Sequence, residues 1–390
     1  MIYLDNNAST ELDSEVATAM REAAGLYGNP SSIHAAGRQA RRIIEQARDE
    51  VAQLVGASSE EIFFTSGGTE ANALALFGAA GHRPGRLVRT AAEHPSVAEA
   101  MDRLARRDGF ESVVVRPQPS GVLDPDELLA AVTSDTKLVS VMAANNEYGA
   151  LYPVADLAPQ ARGRGALFHT DAVQAAGRIA VNVAAWHIDL ASFSAHKLHG
   201  PKGVGALYIR RGLSLEAHTP GGGQEKKLRA GTENTIGIVG FGCAARLARE
   251  RLASEAAGIS ARRDRLESGL CERIDGVRVV GARGPRLPNT SAILFGGVAG
   301  ETLVIRLDLE GIAVSTGSAC SSGTLLPSPA IRSLGLSREE GKSVVRFSLS
   351  RSTTDEEVTR VLEVLPRVVS EVRRVASEPA DEAMEELVRR

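Results

Sequence analysis

The chain alternates between two spacings of apolar residues over its first two-thirds. Residues 38–55 have the apolar spacing of an amphipathic helix, and residues 61–65 form a short apolar run that predicts a buried strand. Further strands are predicted at 86–91, 112–116, 137–143, 166–170 and 189–193, separated by helices at 95–107, 125–132 and 154–162. Strands that alternate with helices predict an α/β fold with a mostly parallel sheet covered on both faces. The run 203–210 predicts one more strand, antiparallel to the others.

The pattern changes near residue 236. Residues 236–274 keep an almost unbroken helical spacing, which predicts a long helix that links two domains. Beyond it, strands are predicted at 290–295, 312–316 and 344–349, with helices at 300–310 and 355–374. A chain of 390 residues exceeds the size at which one core usually stops growing. We therefore expect a large domain over 13–254 and a smaller α/β domain built from 1–12 and 255–390.

Composition and charge exclude several classes of protein. The chain is 43% hydrophobic and 24% charged, as globular proteins usually are. A net charge of -3 argues against direct nucleic-acid binding, which normally needs a concentrated basic face. Three cysteines do not make a secreted disulfide framework. No apolar run has the length of a membrane span, and the first ten residues lack the pattern of a signal peptide. We expect a cytoplasmic protein without a membrane anchor.

The turn Ser66-Gly67-Gly68-Thr69 stands between a predicted strand and a predicted helix. Free N–H groups and the helix dipole at such a turn favour an anion, and the threonine hydroxyl adds a donor. Glycine-rich turns of this kind also serve packing alone. The motif is not a P-loop, because no Lys-Ser/Thr pair follows at the required spacing. From this segment alone, phosphate binding and packing both stay open.

Asp171 and Gln174 follow another predicted strand, at the end where open α/β sheets bind ligands. From this segment alone, an aspartate that caps a helix is the favoured interpretation. The functional alternative is a carboxylate paired with the protonated ring nitrogen of a pyridine cofactor, which would keep that ring an effective electron sink.

Lysine is rare in this chain, so the search for a reactive lysine is short. The six lysines are Lys137, Lys197, Lys202, Lys226, Lys227 and Lys342. Lys197 stands at a predicted strand end beside Ser194 and His196, and lysine is seldom buried without a task. Its amine could bind an aldehyde cofactor, with Ser194 and His196 donating to the cofactor's phosphate; an exposed loop lysine is the alternative. His196 and His199 lack the carboxylate or cysteine that would complete a metal site, so we expect no metal.

Cys320 differs in setting from the other two cysteines. It lies in a stretch of small polar residues, STGSACSSG, where a thiol would be accessible to a reaction partner. Cys243 and Cys271 lie in helical patterns and are expected to be ordinary buried cysteines. From this segment alone, a tolerated surface thiol is the favoured interpretation of Cys320.

Taken together, these segments resemble the cysteine desulfurases of the nitrogen-fixation type (group I), within the class V aminotransferases of the fold-type I pyridoxal-phosphate (PLP) enzymes. The resemblance runs in order from Tyr3 to about Arg373. The matching stretches are YLDNNA, TSGGTEANALAL, EHPSV, NNEYG, HTDAVQ, SFSAHKLHGPKGVGALY, GGGQEKKLRAGTEN, STGSACSSG and VRFSLSR. The family fold implies a large domain with a mostly parallel seven-stranded sheet and a small domain that carries a catalytic cysteine loop, here at about 316–330.

The resemblance also implies a role for each matching residue. Lys197 holds pyridoxal 5'-phosphate and later moves the Cα proton of the substrate, L-cysteine. His94 stacks on the ring and shuttles protons, and Cys320 receives the sulfur as a persulfide while L-alanine is released. The remaining assignments are Gly68, Thr69, Ser194 and His196 at the phosphate, Asp171 at the ring nitrogen, Gln174 at the ring hydroxyl, Asn146 and Arg351 at the substrate carboxylate, and Thr232 at the phosphate of a neighbouring subunit. A homodimer with shared sites and a protein that accepts the sulfur are implied in turn.

Several alternatives remain beside this resemblance. A selenocysteine lyase and other class V aminotransferases are the nearest; an aminotransferase needs no thiol, so Cys320 favours a desulfurase. A regulatory or scaffold protein that binds PLP without turnover is disfavoured by the intact set of reactive residues. A Rossmann dehydrogenase lacks its glycine fingerprint. The sulfur could serve iron–sulfur clusters, tRNA thiolation, a cofactor pathway or DNA modification.

Overall fold

The computed structural model describes residues 1–81, 84–106, 110–316 and 326–377. Its strands are β1 (Ile2–Tyr3), β2 (Ile62–Thr65), β3 (Gly85–Thr90), β4 (Phe110–Val115), β5 (Thr136–Ser140), β6 (Leu167–Asp171), β7 (Leu190–Ser194), β8 (Gly205–Ile209), β9 (Val277–Val279), β10 (Thr290–Phe295), β11 (Ile312–Ala313), β12 (Ser315–Thr316) and β13 (Val344–Ser348). Its α-helices are α1 (Ser14–Ala23), α2 (Ala35–Val55), α3 (Gly68–Ala80), α4 (Pro95–Ala105), α5 (Pro125–Ala131), α6 (Val154–Gly163), α7 (Thr235–Arg273), α8 (Gly300–Leu309), α9 (Pro329–Ser333), α10 (Arg338–Lys342) and α11 (Asp355–Ser377). Short 3₁₀ helices lie at Ser59–Glu61 and Ala195–Lys197, and Gln224–Lys227 is a turn with non-helical backbone angles inside it.

A seven-stranded sheet forms the centre of the first two-thirds of the chain, in the order β2-β8-β7-β6-β5-β3-β4. Strands β3 to β7 pair in parallel, whereas β8 is antiparallel to both of its neighbours. Every residue of β7 and β8 is buried, as expected where helices cover both faces of a sheet. The predicted mostly parallel sheet and its one antiparallel strand are confirmed.

Helix α2 shows how the apolar spacing becomes a packed surface. Its buried face includes Ile44, Val51 and Val55, and the helix packs against the long helix α7. The helix is capped by Gly56, whose φ of 68° lies in the left-handed region that residues with a side chain adopt only with strain. Helix α7 contacts α1 and α2 along one part and α11 along another.

The last third of the chain forms a second sheet, in the order β12-β13-β10-β9 with antiparallel pairing. Strand β1 pairs in parallel with β11, and Leu4 belongs to the same core cluster as Phe295, Phe347 and Leu365. The N-terminal residues therefore pack with the C-terminal elements. The domain boundary between residues 254 and 255 stays a prediction; α7 is continuous across it.

Some local predictions are wrong. The expected strand at 312–316 is two short strands, because the chain changes partner at Val314, from β1 to β13. Helix α1, capped by Asp13 accepting from the Glu15 amide at 2.8 Å, was not predicted, and neither were β9, α9 and α10. Cys320 and the charged tail after Ser377 lie outside the described residues. No helix in the described part of the chain is long and apolar enough to cross a membrane.

Candidate active site

A cavity of about 400 Å³ lies at the carboxyl ends of β6 and β7, where open α/β sheets bind their ligands. Most of the residues predicted for the site line it: Gly68, Thr69, His94, Asn146, Asp171, Gln174, Ser194, His196 and Lys197. Other lining residues are Asn7, Ala8, Asn72, Ser96, Met142, Val173 and Arg346. Its volume is within the usual range for small-molecule sites. Of the other predicted residues, Thr232 and Arg351 do not line it, and Cys320 lies outside the described residues.

The glycine-rich turn forms one wall, with α3 beginning at Gly68. A Cβ at Gly68 would lie 2.7 Å from Cγ2 of Val173, a contact that real side chains do not make. Glycine therefore keeps the helix start close to the strand ends. Ser194 ends β7 beside it. A helix N-terminus with serine and threonine hydroxyls nearby is suited to an anion.

His196 is neutral at physiological pH. Burial, with the charges of Lys197, Lys202 and Arg178, lowers its pKa to about 4. Its Nδ1 lies 3.3 Å from the hydroxyl of Ser9. The ring can therefore donate one hydrogen bond into the cavity without adding a positive charge.

Two N–H donors fix the direction of the Asp171 carboxylate. Oδ1 accepts from the Val173 amide at 3.0 Å and Oδ2 from Nδ2 of Asn72 at 2.8 Å. The residues that follow form turns rather than an α-helix, so Asp171 does not cap a helix. A buried carboxylate held this way at the cavity wall is suited to a cationic partner such as a protonated ring nitrogen.

His94 begins α4 as its N-cap, with Nδ1 accepting from the Ser96 amide at 3.1 Å. A neutral ring bonded in this way carries its proton on Nε2. Burial lowers the pKa of His94, the Asp171 carboxylate opposes that shift, and Lys197 reinforces it. The ring is thus largely uncharged near neutral pH and able to take up a proton.

Lys197 closes the 3₁₀ helix after β7 and points to the N-terminal segment. Its Nζ donates to the carbonyl oxygens of Asn7 at 2.5 Å and Ala8 at 2.8 Å. The Asn7 carbonyl also accepts from Nε2 of Gln174 at 3.0 Å. Asn7 and Ala8 were not predicted for the site, although both belong to YLDNNA, one of the stretches that match the family.

Two arginines near the end of β13 have different surroundings. Arg346 is 3% exposed, lines the cavity and donates from Nη1 to the Asn146 carbonyl at 2.9 Å and from Nη2 to Asp5 at 2.8 Å. Its buried Nε has no hydrogen-bond partner among the described residues. Arg351 instead donates to Asp13, lies 3.9 Å from Glu255, and lines a separate cavity of about 40 Å³. The residue that the structure brings to Asn146 is therefore Arg346 and not Arg351.

Thr232 is exposed and outside the cavity of its own subunit. The preceding loop is unusual, since Glu225, Lys226 and Lys227 all have positive φ, at 43°, 56° and 69°. Non-glycine residues adopt that conformation only when the surroundings impose it. The buried Glu225 carboxylate does so here, with two hydrogen bonds from Arg48, at 2.8 and 2.9 Å.

The two cysteines that the structure describes lie in helix α7, as predicted. Cys243 is partly buried, and burial raises the pKa of its thiol. The expectation that Cys271 is buried is wrong, because it lies on the outer face near the helix end and is exposed. Its pKa is also raised, first by desolvation. Neither thiol is activated, and neither lines the cavity.

The chain matches known proteins along nearly its whole length. The model of the aminotransferase class-V family matches residues 2–361. A cysteine desulfurase of Sinorhizobium fredii is 46% identical over 376 residues, covering 95% of this chain and 97% of that protein. The chain belongs to the cysteine desulfurases of the class-V aminotransferase family.

Solved structures agree with that assignment. A NifS-like protein superposes with a TM-score of 0.88 at 38% identity, covering 95% of this chain and 99% of the other. A structure described as SspA in complex with cysteine superposes with a TM-score of 0.80 at 32% identity, covering 91% of this chain and 100% of the other. The predicted fold-type I architecture and desulfurase activity are confirmed, and the enzyme belongs to a family that depends on PLP.

Proposed function

We propose that this desulfurase binds PLP at Lys197, takes the sulfur of L-cysteine onto Cys320 and releases L-alanine. The observation that carries the proposal is that Lys197, Asp171 and His94 line one cavity, beside a turn that is suited to an anion. Each is a residue type that the reaction needs, and each was predicted for the site from the sequence. Cytoplasmic location stays a prediction.

The residues present fit the cofactor. The start of α3 at Gly68, with Thr69, Ser194 and neutral His196, offers hydrogen-bond donors for a phosphate. Asp171 offers its fixed carboxylate to the ring nitrogen, and Gln174 lies within the same wall for the ring hydroxyl. When bound, PLP supplies an electron sink that weakens the bonds at the substrate Cα.

The protein's own groups then move protons. Lys197 would take the proton from the substrate Cα, because its side chain lines the cavity. His94, neutral with its proton on Nε2, would give or take up a proton at the part of the cavity wall that it forms. The side chains of Met142 and Val173 form an apolar part of the cavity wall. They exclude water, and the electrostatic interactions inside the cavity are therefore stronger.

We assign the substrate carboxylate to Arg346 and Asn146 in place of Arg351. Arg346 is buried and lines the cavity. Two of its N–H groups bond Asn146 and Asp5, and its Nε group and the other N–H groups are left for a ligand. Its guanidinium can hold a carboxylate by two parallel hydrogen bonds. Arg351 is committed to Asp13 and Glu255 at another cavity.

Cys320 is the proposed sulfur acceptor. Its thiolate attacks the substrate sulfur, a sulfur–sulfur bond forms as the carbon–sulfur bond breaks, and the carbon takes up a proton to become alanine. The electron pair of the broken carbon–sulfur bond stays with carbon, which is reduced, while the two sulfurs are oxidised to a persulfide. The proton lost from the Cys320 thiol balances the one that the carbon gains, so no external oxidant is needed. Cys243 and Cys271, with raised pKa values and no place in the cavity, are poor alternatives.

A homodimer and an acceptor protein complete the proposal. The strained loop before Thr232 is held by the buried Glu225–Arg48 pair, which supports a precise task for an otherwise exposed threonine. That task is to reach the phosphate of the neighbouring subunit. Sulfur on Cys320 then passes to a separate acceptor protein.

Cofactor attachment is tested by borohydride reduction and peptide mapping. The purified protein should be yellow, and reduction should fix the cofactor on Lys197. Lys197→Ala should lose cofactor and release no alanine from cysteine, whereas Lys202→Ala, a nearby matched control, should keep both. An adduct on Lys202, or on no lysine, would overturn the proposal.

A further inference from the structure

The N-terminal segment touches both residues that we assign to the substrate carboxylate. Asp5 accepts from Nη2 of Arg346 at 2.8 Å. Asn7 donates from Nδ2 to the carbonyl of Asn146 at 3.0 Å, the same oxygen that accepts from Nη1 of Arg346 at 2.9 Å. The two carboxylate-binding residues and the N-terminal segment thus form one connected group.

Asp5 itself is held firmly by the backbone. The Asn6 amide donates to the Ser348 carbonyl at 3.2 Å, and the Ser348 amide donates to the Leu4 carbonyl at 2.7 Å. These bonds fix the chain on either side of Asp5 to strand β13, two positions from Arg346. The hydroxyl of Tyr3 also donates to the Asp5 carbonyl, at 3.2 Å.

A guanidinium has five N–H groups in a planar fork, so fixing two of them fixes the direction of the rest. Asp5 and the Asn146 carbonyl each take one N–H of Arg346. The Nε group remains buried and without a partner in the described part of the structure. An arginine that kept only the Asn146 contact could rotate about it and lose that direction.

We infer that Asp5 is a positioning residue that orients Arg346 to recognise the carboxylate of the amino-acid substrate. This inference rests on the proposed role of Arg346. Asp5 does not touch the substrate; it holds the guanidinium so that the remaining N–H groups face the cavity. Its contribution is therefore selective for ligands that carry a carboxylate.

Paired ligands separate this role from a general structural one. L-Alanine and L-alaninamide differ in the carboxylate, and binding of each to the holoenzyme can be followed by the absorbance of the cofactor. Asp5→Ala should lower the affinity for L-alanine about 10-fold, the usual cost of a misdirected charged hydrogen bond. The affinity for L-alaninamide should stay within about twofold of the wild-type value. Asp5→Asn, which keeps an acceptor oxygen, should recover most of the affinity.

Two further variants keep the test decisive. Asp5→Glu retains the charge but moves the carboxylate, so it should also weaken the binding of L-alanine and not that of L-alaninamide. If Asp5→Ala does not fold, Asp5→Glu serves in its place. Asp102→Ala breaks an arginine pair of the same 2.8 Å length, with Arg89, outside the cavity, and should change neither ligand. Wild-type binding of both ligands by Asp5→Ala or Asp5→Glu would overturn the inference.

Failure of the proposed function gives a different result. If Arg346 binds the carboxylate, Arg346→Lys should bind L-alanine more weakly than the wild type and bind L-alaninamide as well as the wild type does. If Arg346→Lys binds both ligands like the wild type, the role assigned to Arg346 is wrong. If Arg346→Lys loses L-alanine while the Asp5 variants do not, only the inference about Asp5 is wrong.

Discussion

Arg346 and Arg351 are close in sequence but lie in different environments. Arg346 is inside strand β13, buried, and shares its guanidinium between Asp5 and the cavity. Arg351 lies in the turn after the strand and is paired with Asp13, on the far side of Lys197. The first arginine keeps a donor for a ligand, while the second serves the packing of the N-terminal helix against α7.

The difference arises from strand alternation. Along β13 and the residues after it, Val345, Phe347 and Leu349 point into the core cluster that also holds Leu4 and Leu365. Arg346 and Ser348 point the other way, towards the N-terminal segment and the cavity. An arginine at an alternate position of a buried strand is thus a stronger candidate for a ligand contact than an arginine in the turn beyond it.

The largest effect is expected from replacing the two arginines in parallel. Arg346→Lys should lower kcat/KM for cysteine about 100-fold, because lysine cannot reproduce the two-pronged contact. Arg351→Lys should keep its pair with Asp13 and change kcat/KM by less than about threefold. Steady-state alanine release measures both. The reverse order of effects would restore the carboxylate to Arg351 and refute the comparison.

A smaller effect is expected from Glu147, which feels the charge of Arg346. Burial raises the pKa of Glu147 to about 7, although a hydrogen bond from Ser328 and the charge of Arg346 oppose the shift. The folded state therefore keeps a proton that the unfolded chain releases above about pH 4.3, so this group destabilises the fold progressively as pH rises towards 7. Glu147→Gln cannot ionise, so it should remove this loss of stability at higher pH.

The measurement is Tm at several pH values. The difference in Tm, variant minus wild type, should be more positive at pH 8 than at pH 5. Glu99→Gln, on the exposed side of α4, is the matched control and should show no such trend. A difference independent of pH in Glu147→Gln would mean that this carboxyl is not held protonated.

The smallest effect is expected at Asp13, the partner of Arg351. Burial alone would raise its pKa, but the Glu15 amide and the charges of Arg351 and Arg251 outweigh it and lower the pKa. A carboxylate with a lowered pKa stabilises the fold above its unfolded pKa and loses that contribution in acid. Asp13→Asn should lower Tm by a few degrees at pH 7, and less at pH 3. An equal loss at both pH values would contradict the ion pair.

Sequence patterns predicted the large sheet well, because strands buried on both faces read as short apolar runs between helices. They failed where tertiary pairing decides, as at 312–316, where two strands with different partners share one apolar run. The site residues on strand ends were predictable from position. The carbonyls of Asn7 and Ala8 were not, since any residue type can supply a backbone oxygen. Arg346 was overlooked because the motif VRFSLSR offered two arginines and only the fold distinguishes them.

The proposed transfer of sulfur from cysteine to Cys320, in a site centred on Lys197, can be followed in one experiment. The most direct test is mass spectrometry of the peptides after the holoenzyme meets L-cysteine without an acceptor or a reducing thiol. We predict one added sulfur atom on Cys320, none on Cys243 or Cys271, and alanine release that stops after a single turnover until a thiol is added. Cys320→Ser should still bind the cofactor and cysteine but deliver no sulfur. Added sulfur on Cys243 or Cys271, or wild-type turnover by Cys320→Ser, would refute sulfur transfer to Cys320.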